Sequence, residues 1–303
     1  MRVEPRLRAF AALARHGSFT RAADELLISQ PAVSKHVSSL ERELKTKLVA
    51  RDHHHVAMTP AGEVLADYVL RAEALLANGR RHVGSVAGGT AGTLAIAASG
   101  IPGTYVVPTV IARYREELPS VDINFDLATS GGVLELVRAH KVELGIVGGL
   151  VPATELEGEP FVEDEIVLIG PPAFRGKRMS RKDLEQVTWI SREEGSATRE
   201  LLESARYEMA LNIRRRLALP SWEAIKLAVA HGAGVAAISK FALALELQTG
   251  SVVILDVPRW HVRRQLSVVS ARDIPLSPAA ERFRSLLLSM WRPSDPSVSP
   301  GAA

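Results

Sequence analysis

Between Gly84 and Gly92 the chain reads GSVAGGTAG, nine residues with no side chain larger than valine. Such a run cannot build a core of its own, so it reads as a flexible linker and a domain boundary. It divides 303 residues, enough for two domains, into parts of different charge. Residues 1–87 carry 13 Lys/Arg against 9 Asp/Glu and six of the nine histidines; residues 88–303 carry 24 against 25. A basic head on a nearly neutral body suggests that the head meets a polyanion and the body does something else.

Apolar residues at 47% and charged residues at 23% suit a globular chain with a sizeable core. They exclude a disordered, collagen-like or coiled-coil protein over most of the length. The absence of cysteine removes disulfide scaffolds, thiolate zinc sites, iron–sulfur clusters and cysteine nucleophiles, and fits a reducing compartment. No apolar run approaches the ~18 residues of a membrane span. The N-terminal apolar stretch is short and broken by Arg15, so neither signal peptide nor membrane contact is expected and the expected location is cytoplasmic.

The first sixty residues read as short helices. Leu7, Phe10, Leu13 and Ala14 recur at helical spacing up to a stop at His16-Gly17. Ser18 and Thr20 are N-cap candidates for a second helix carrying Ala22, Ala23, Leu26 and Leu27. Ile28-Ser29 is the turn. Ser29 caps a third helix with Pro31 in its first turn and Val33, Val37 and Leu40 on its apolar face. Leu48–Arg51 and His55–Met58 read as a β-wing. Thr59-Pro60 then starts a helix to about residue 86, in which Leu65, Tyr68, Ala72, Leu75 and Gly79 form a seam spaced three and four apart. One such stripe has nothing on its own chain to bury against, so pairing with a second copy is expected.

Two short helices joined by a tight turn make a helix-turn-helix, whose second helix presents its first residues to base edges in the major groove. Here those are Gln30, Pro31, Ser34 and Lys35. Gln pairs with adenine, Lys reaches guanine or phosphate, and the hydroxyls of Ser18, Thr20 and Ser29 suit phosphates, as does Arg51. An ordinary three-helix packing unit with a polar face is the plain alternative.

Past the linker, strands and helices alternate. Strands are expected at Leu94–Ser99, Val121–Ala128, Glu143–Gly148, Ile166–Ile169, Trp189–Ser191, Val235–Ser239 and Leu266–Ser270. Helices are expected from Thr104 or Pro108 to Glu117, at 131–140, 197–211, 222–231 and 278–291. The alternation argues for an α/β domain with largely parallel sheets. The tail RPSDPSVSPGAA reads as disordered.

The wording FAALARHGSFTRAADELLISQPAVSKHVSSLERELKTKLVAR, followed by MTPAGEVL, resembles the N-terminal domain of LysR-type transcriptional regulators. The match is dense over residues 7–66. Lys45-Thr46 stand where the family commonly has Gly, and Val49-Ala50 replace its usual Phe-containing pair before Arg51. The resemblance implies an all-α winged helix-turn-helix over 1–59 and a linker helix and hinge over 60–92. It further implies an α/β periplasmic-binding-protein-like effector domain over 93–303, with lobe I at 93–163 and 266–292 and lobe II at 164–265. It implies double-stranded operator DNA as partner, a small-molecule effector between the lobes, a homodimer or homotetramer, and RNA polymerase as a candidate contact.

Clefts of this kind lie at strand ends and helix N-termini, where free N–H groups favour anions. Ser99, Thr129, Ser130, Gly148, Ser196, Thr198 and Arg199 are the candidate effector contacts. For any one hydroxyl the plain reading is an N-cap. The stretch WISREEGSATRELLE resembles a subset of the family that responds to small anionic metabolites, including regulators of carbon fixation and of the sulfite response.

Other patterns read as structural. His53-His54-His55 has no further ligand beside it and is taken as a solvated wing tip, with no metal. Gly232 and Gly234 formally match GxGxxA, but between a helix and a strand, the reverse of the dinucleotide context. Gly170 to Lys177 is one residue too long for a P-loop and has Arg178 where Ser or Thr is needed. No HExxH, GxSxG or SxxK occurs, so a regulator rather than an enzyme is expected, with no cofactor. The rival is a stand-alone binding protein or enzyme on the same two-lobed fold.

Overall fold

The computed structural model describes residues 4–52, 55–88, 92–149, 151–152, 155–192, 196–272 and 274–291. Two compact units divide between Val83 and Gly84. The tail after Trp291 and the centre of the expected linker lie outside the described residues.

The first unit holds α1 (Pro5–His16), α2 (Phe19–Leu26), α3 (Gln30–Leu44), the hairpin β1 (Val49–Asp52) and β2 (His55–Met58), and α4 (Pro60–Gly88). Phe10, Leu13, Ala22, Val33, Val37 and Leu40 form one core, so the helical spacings of the sequence are those that bury. Gly17 takes the left-handed conformation (φ 58°) and closes α1. α2 differs from expectation by one residue. Leu27 leaves the helix, adopts φ 55° and is 91% exposed, because a left-handed residue at the helix end turns its side chain off the apolar face. α4 runs through Gly84–Gly88, where a flexible linker was expected.

Three polar groups shape the wing. The buried Glu41 carboxylate accepts from the N–H groups of Leu48 (3.0 Å) and Val49 (3.3 Å) and from Lys47 Nζ (2.9 Å). Burial opposes its charge, but these donors hold its pKa below the ordinary carboxylate value. Thr59 donates to the carbonyl of Lys47 (2.6 Å) while accepting from Gly62 N–H (3.0 Å), so it caps α4 and ties it to the wing. A Cβ on Gly62 would stand 2.0 Å from the carbonyl oxygen of Leu48. Only glycine permits that approach.

The second unit contains β3 (Gly92–Ser99), α5 (Gly100–Tyr105), α6 (Val107–Glu117), β4 (Val121–Ala128), α7 (Ser130–Arg138), β5 (Leu144–Gly148) and β6 (Leu156–Gly170). There follow α8 (Arg181–Gln186), β7 (Thr188–Ser191), α9 (Ala197–Glu208), β8 (Arg215–Ala218), α10 (Trp222–Ala230) and β9 (Val235–Ser239). α11 (Ala244–Thr249), β10 (Val253–Ile254), β11 (Val262–Ala271) and α12 (Pro278–Trp291) complete it. The sheet order is β4-β3-β5-β11-β6-β9-β7-β8, with β10 on β6.

The strands are parallel within β4-β3-β5 and within β9-β7-β8. The middle of the sheet is antiparallel: β11 opposes β5 and β6, and β6 opposes β9. The expected parallel sheet therefore exists twice, joined by two long strands that cross between the halves. Each half buries its own apolar clusters. Leu94, Ile96, Tyr114, Leu144, Ile146 and Phe283 sit on the β3 side, and Ile190, Trp222, Ile225, Val229 and Ile238 on the β9 side. α12 returns from the last strand to pack on the first half, where Tyr114 and Phe283 meet edge to face at 5.5 Å.

Candidate functional site

In the first unit, Ser29 accepts from the N–H of Ala32 (3.4 Å) and starts α3. Pro31 costs nothing there, since its missing N–H would have had no partner in the helix. Val33, Val37 and Leu40 are buried on one face. That leaves Ser29, Gln30, Pro31 and Lys35 exposed and Ser34 half-buried on the other. Ser18 accepts from Arg21 N–H (3.4 Å) at the start of α2, and Thr20 is exposed beside it. The backbone of Arg51 pairs with Val56 in the wing. Its side chain, and the histidines at 53 and 54, lie outside the described residues. Arg15 donates to Glu25 (2.5 Å) and Glu73 (2.8 Å), which links α1, α2 and α4.

In the second unit a cavity of about 370 Å³ opens at the carboxyl ends of β3 and β7. Ser99, Thr129, Ser130, Ser196 and Thr198 line it, five of the seven residues expected there. Gly148 and Arg199 are not among its lining residues. Gly148 lies under the guanidinium of Arg264, whose Nε would stand 2.9 Å from an added Cβ. Arg199 donates to the backbone carbonyl of Arg192 (3.3 Å).

The N-termini of α7, α9 and α10 reach this cavity through Thr129, Ser196 and Ser221. Thr129 and Ser221 spend their hydroxyls as caps, accepting from Gly132 (3.1 Å) and Ala224 (3.1 Å). Ser99 and Ser196 make no side-chain cap bond, so their hydroxyls face the cavity uncommitted to their own helices. Thr198 is 3% exposed and accepts from Arg264 Nη1 (3.2 Å).

Sequence reasoning missed the charged and aromatic part of the wall. Arg264, on crossing strand β11, is buried and donates through Nε to Asp164 (2.8 Å). Asp164 is fully buried on β6 and also accepts from Ser239 (2.6 Å). Burial pushes its carboxyl above the ordinary range, with Arg264 and Ser239 opposing. Arg192 lies over the indole of Trp222, 5.2 Å from the ring centre, a cation–π contact. Tyr105 donates to Glu223 (2.9 Å), and burial followed by that hydrogen bond pushes its phenol up to about 12. No motif marks these residues, because crossing strands from distant parts of the chain bring them together.

Two family models match. The one described as "Bacterial regulatory helix-turn-helix protein, lysR family" matches residues 5–63. The one described as "LysR substrate binding domain" matches residues 87–292. The chain belongs to the LysR family of transcriptional regulators.

Within this LysR family, the RuBisCO operon transcriptional regulator of Allochromatium vinosum is 35% identical over 286 residues, covering 93% of this chain and 94% of that protein. Among solved structures, full-length CbnR complexed with its target DNA superposes with a TM-score of 0.67 at 19% identity, over 93% of this chain and 97% of that one. The regulatory domain of Synechocystis PCC6803 CcmR, in complex with 2-PG, gives 0.62 at 23% identity over 67% and 98%. These likenesses bear on the fold. As a LysR-type regulator the chain joins a helix-turn-helix unit to a substrate-binding unit. No helix among the described residues is long and apolar enough to cross a membrane.

Proposed function

We propose that this regulator works in the cytoplasm without catalysis, binding operator DNA through the first turn of α3 and a small anionic metabolite in the cavity of its second unit. Gln30, Ser34 and Lys35 address base edges. Ser18, Thr20, Ser29, Pro31 and Arg51 set the unit on the phosphate backbone. The working division is 1–59 for DNA, 60–92 for linker and hinge, and 93–303 for the effector. Its lobe I is 93–163 with 266–292, and its lobe II is 164–265.

One observation carries the effector reading. Three helix N-termini, the hydroxyls of Ser99 and Ser196, and Arg192 and Arg264 all address one cavity. Free N–H groups and guanidinium donors are what a carboxylate or phosphate needs. The 2-PG seen in the CcmR regulatory domain is a ligand of that class. A metabolite that prefers one arrangement of the two lobes shifts the equilibrium of the whole chain, and by linkage its DNA affinity.

The exposed side chains of Val64, Tyr68, Leu75 and Val83 along α4 support a homodimer, or a tetramer built from dimers, that covers this stripe. A thermal-shift screen of the full chain against carboxylates, phosphate monoesters and inorganic anions tests the reading. Stabilisation that is lost in Ser99→Ala supports it, and no stabilisation by any anion at millimolar concentration refutes it.

A further inference from the structure

The wall of the cavity opposite the hydroxyls has a different chemistry. Ser99 stands just before α5 and Tyr105 at its last position, about 9 Å further along the axis at ~1.5 Å per residue. At that far end Tyr105 meets Glu223, and both line the cavity. Behind them the buried Lys226 ammonium lies 2.9 Å from Glu223 and 2.8 Å from Glu246. It also donates to the carbonyl of Ala242 (3.1 Å). Two carboxylates therefore share one ammonium, and Oε2 of Glu246 is buried with no hydrogen-bond partner. The far wall carries a net negative charge.

The near end is the reverse. Arg264 is balanced by Asp164 beneath it, which leaves Arg192 and the helix N–H groups to give that side a positive field. The room is also larger than a simple ion needs. At ~30 Å³ per liquid water, about 370 Å³ holds on the order of a dozen waters. Inorganic sulfate or phosphate would fill only part of it.

We propose that Glu223 determines specificity at this far end, so that the ligand is an anion whose opposite end donates hydrogen bonds through an ammonium or hydroxyl group rather than bearing a second carboxylate. The inference rests on the reading of the near end as an anion site. A donor at the far end meets the Glu223 carboxylate and the faces of Tyr105 and Trp222, which favour cations and polarised O–H groups. A carboxylate placed there faces like charge with no uncommitted cation, since Lys226 is engaged by three acceptors.

Three phosphate monoesters of similar size separate the cases: phosphoethanolamine with an ammonium end, glycerol 3-phosphate with a hydroxyl end, and 2-phosphoglycolate with a carboxylate end. Isothermal titration of the full chain is expected to rank the first two at least about tenfold tighter than the third. Glu223→Gln should bring the three within about threefold of one another. Tyr105→Phe leaves Glu223 with one donor fewer and should widen the gap, which keeps the proposal testable if Glu223→Gln folds poorly. Equal or tighter binding of 2-phosphoglycolate by the unaltered chain overturns the proposal, as does a ranking indifferent to both substitutions. If none of the three binds, the anion reading itself falls, and this inference with it.

Discussion

Nη1 of Arg264 donates to Oγ1 of Thr198 across 3.2 Å, joining crossing strand β11 to the first turn of α9. The hydroxyl that the sequence offers to a ligand is already engaged inside the protein. Thr198 therefore positions Arg264 instead of presenting a free donor. Thr198→Val should leave a buried guanidinium N–H without its acceptor and cost ~1–3 kcal/mol of stability. Thr198→Ser should restore most of it. Urea unfolding monitored by circular dichroism measures both, and equal stability of the Val and Ser variants would remove the positioning role.

Asp164 and Arg264 form a pair with side-chain exposures of 0% and 5%. Removing one partner strands the other charge away from water. Asp164→Asn is expected to cost ~3–5 kcal/mol, far more than an exposed pair such as Lys240 with Glu165, for which about 1 kcal/mol or less is expected on Lys240→Ala. Unfolding midpoints of the two variants should differ accordingly. Similar midpoints would show that the buried pair contributes no more than the exposed one.

Glu41 gives the first unit a pH dependence of definite sign. Its folded pKa lies below the ordinary carboxylate value, after the donors on Lys47, Leu48 and Val49 outweigh burial. Stabilisation by this group is thus fully present above about pH 4.3, the unfolded value, and is lost as pH falls through the lower folded value. Glu41→Gln should lower stability near neutral pH by roughly 1–2 kcal/mol and flatten its decline on acidification. An unchanged acid limb of the pH–stability curve would assign the decline to other carboxylates.

Tyr68 and Leu75 stand 68% and 44% exposed on α4. If a second copy covers them, a charge placed there must be buried without a partner. Leu75→Glu should shift the full chain toward monomer in light scattering at micromolar concentration, with its helical content retained. An unaltered chain that is already monomeric would refute the covered stripe.

What the sequence discloses here is local. Ser29 with Pro31 marks the start of α3, and Thr59 with Pro60 the start of α4, because caps and proline act within one turn. Strands β3, β4, β5, β7 and β9 are short β-rich runs whose apolar content shows in the text. β6 does not read as a fifteen-residue strand, since its first half, LEGEPFVEDE, is studded with charges. It is a strand because β11 supplies its partner across the sheet. The edge strand β8, RRLA, is exposed throughout and carries no alternation to detect. The same distinction governs the cavity. Ser99, Ser130 and Ser196 announce helix starts, whereas Arg264, Arg192, Trp222 and Tyr105 arrive through tertiary crossing. Leu27 shows the limit even locally, since one residue's passage into the left-handed region moves an apolar side chain from core to surface.

The most direct test of the account is the DNA affinity of the full chain as a function of salt, on a fragment selected by the protein from a random pool and on a scrambled fragment. The account predicts binding at least ~10³-fold tighter to the selected fragment, and for both a log affinity that falls linearly with log salt. Gln30→Ala should weaken the selected fragment by ~1–3 kcal/mol and leave the scrambled one nearly unchanged. Equal affinity for the two fragments, or an equal loss on both in Gln30→Ala, would contradict sequence reading by the first turn of α3.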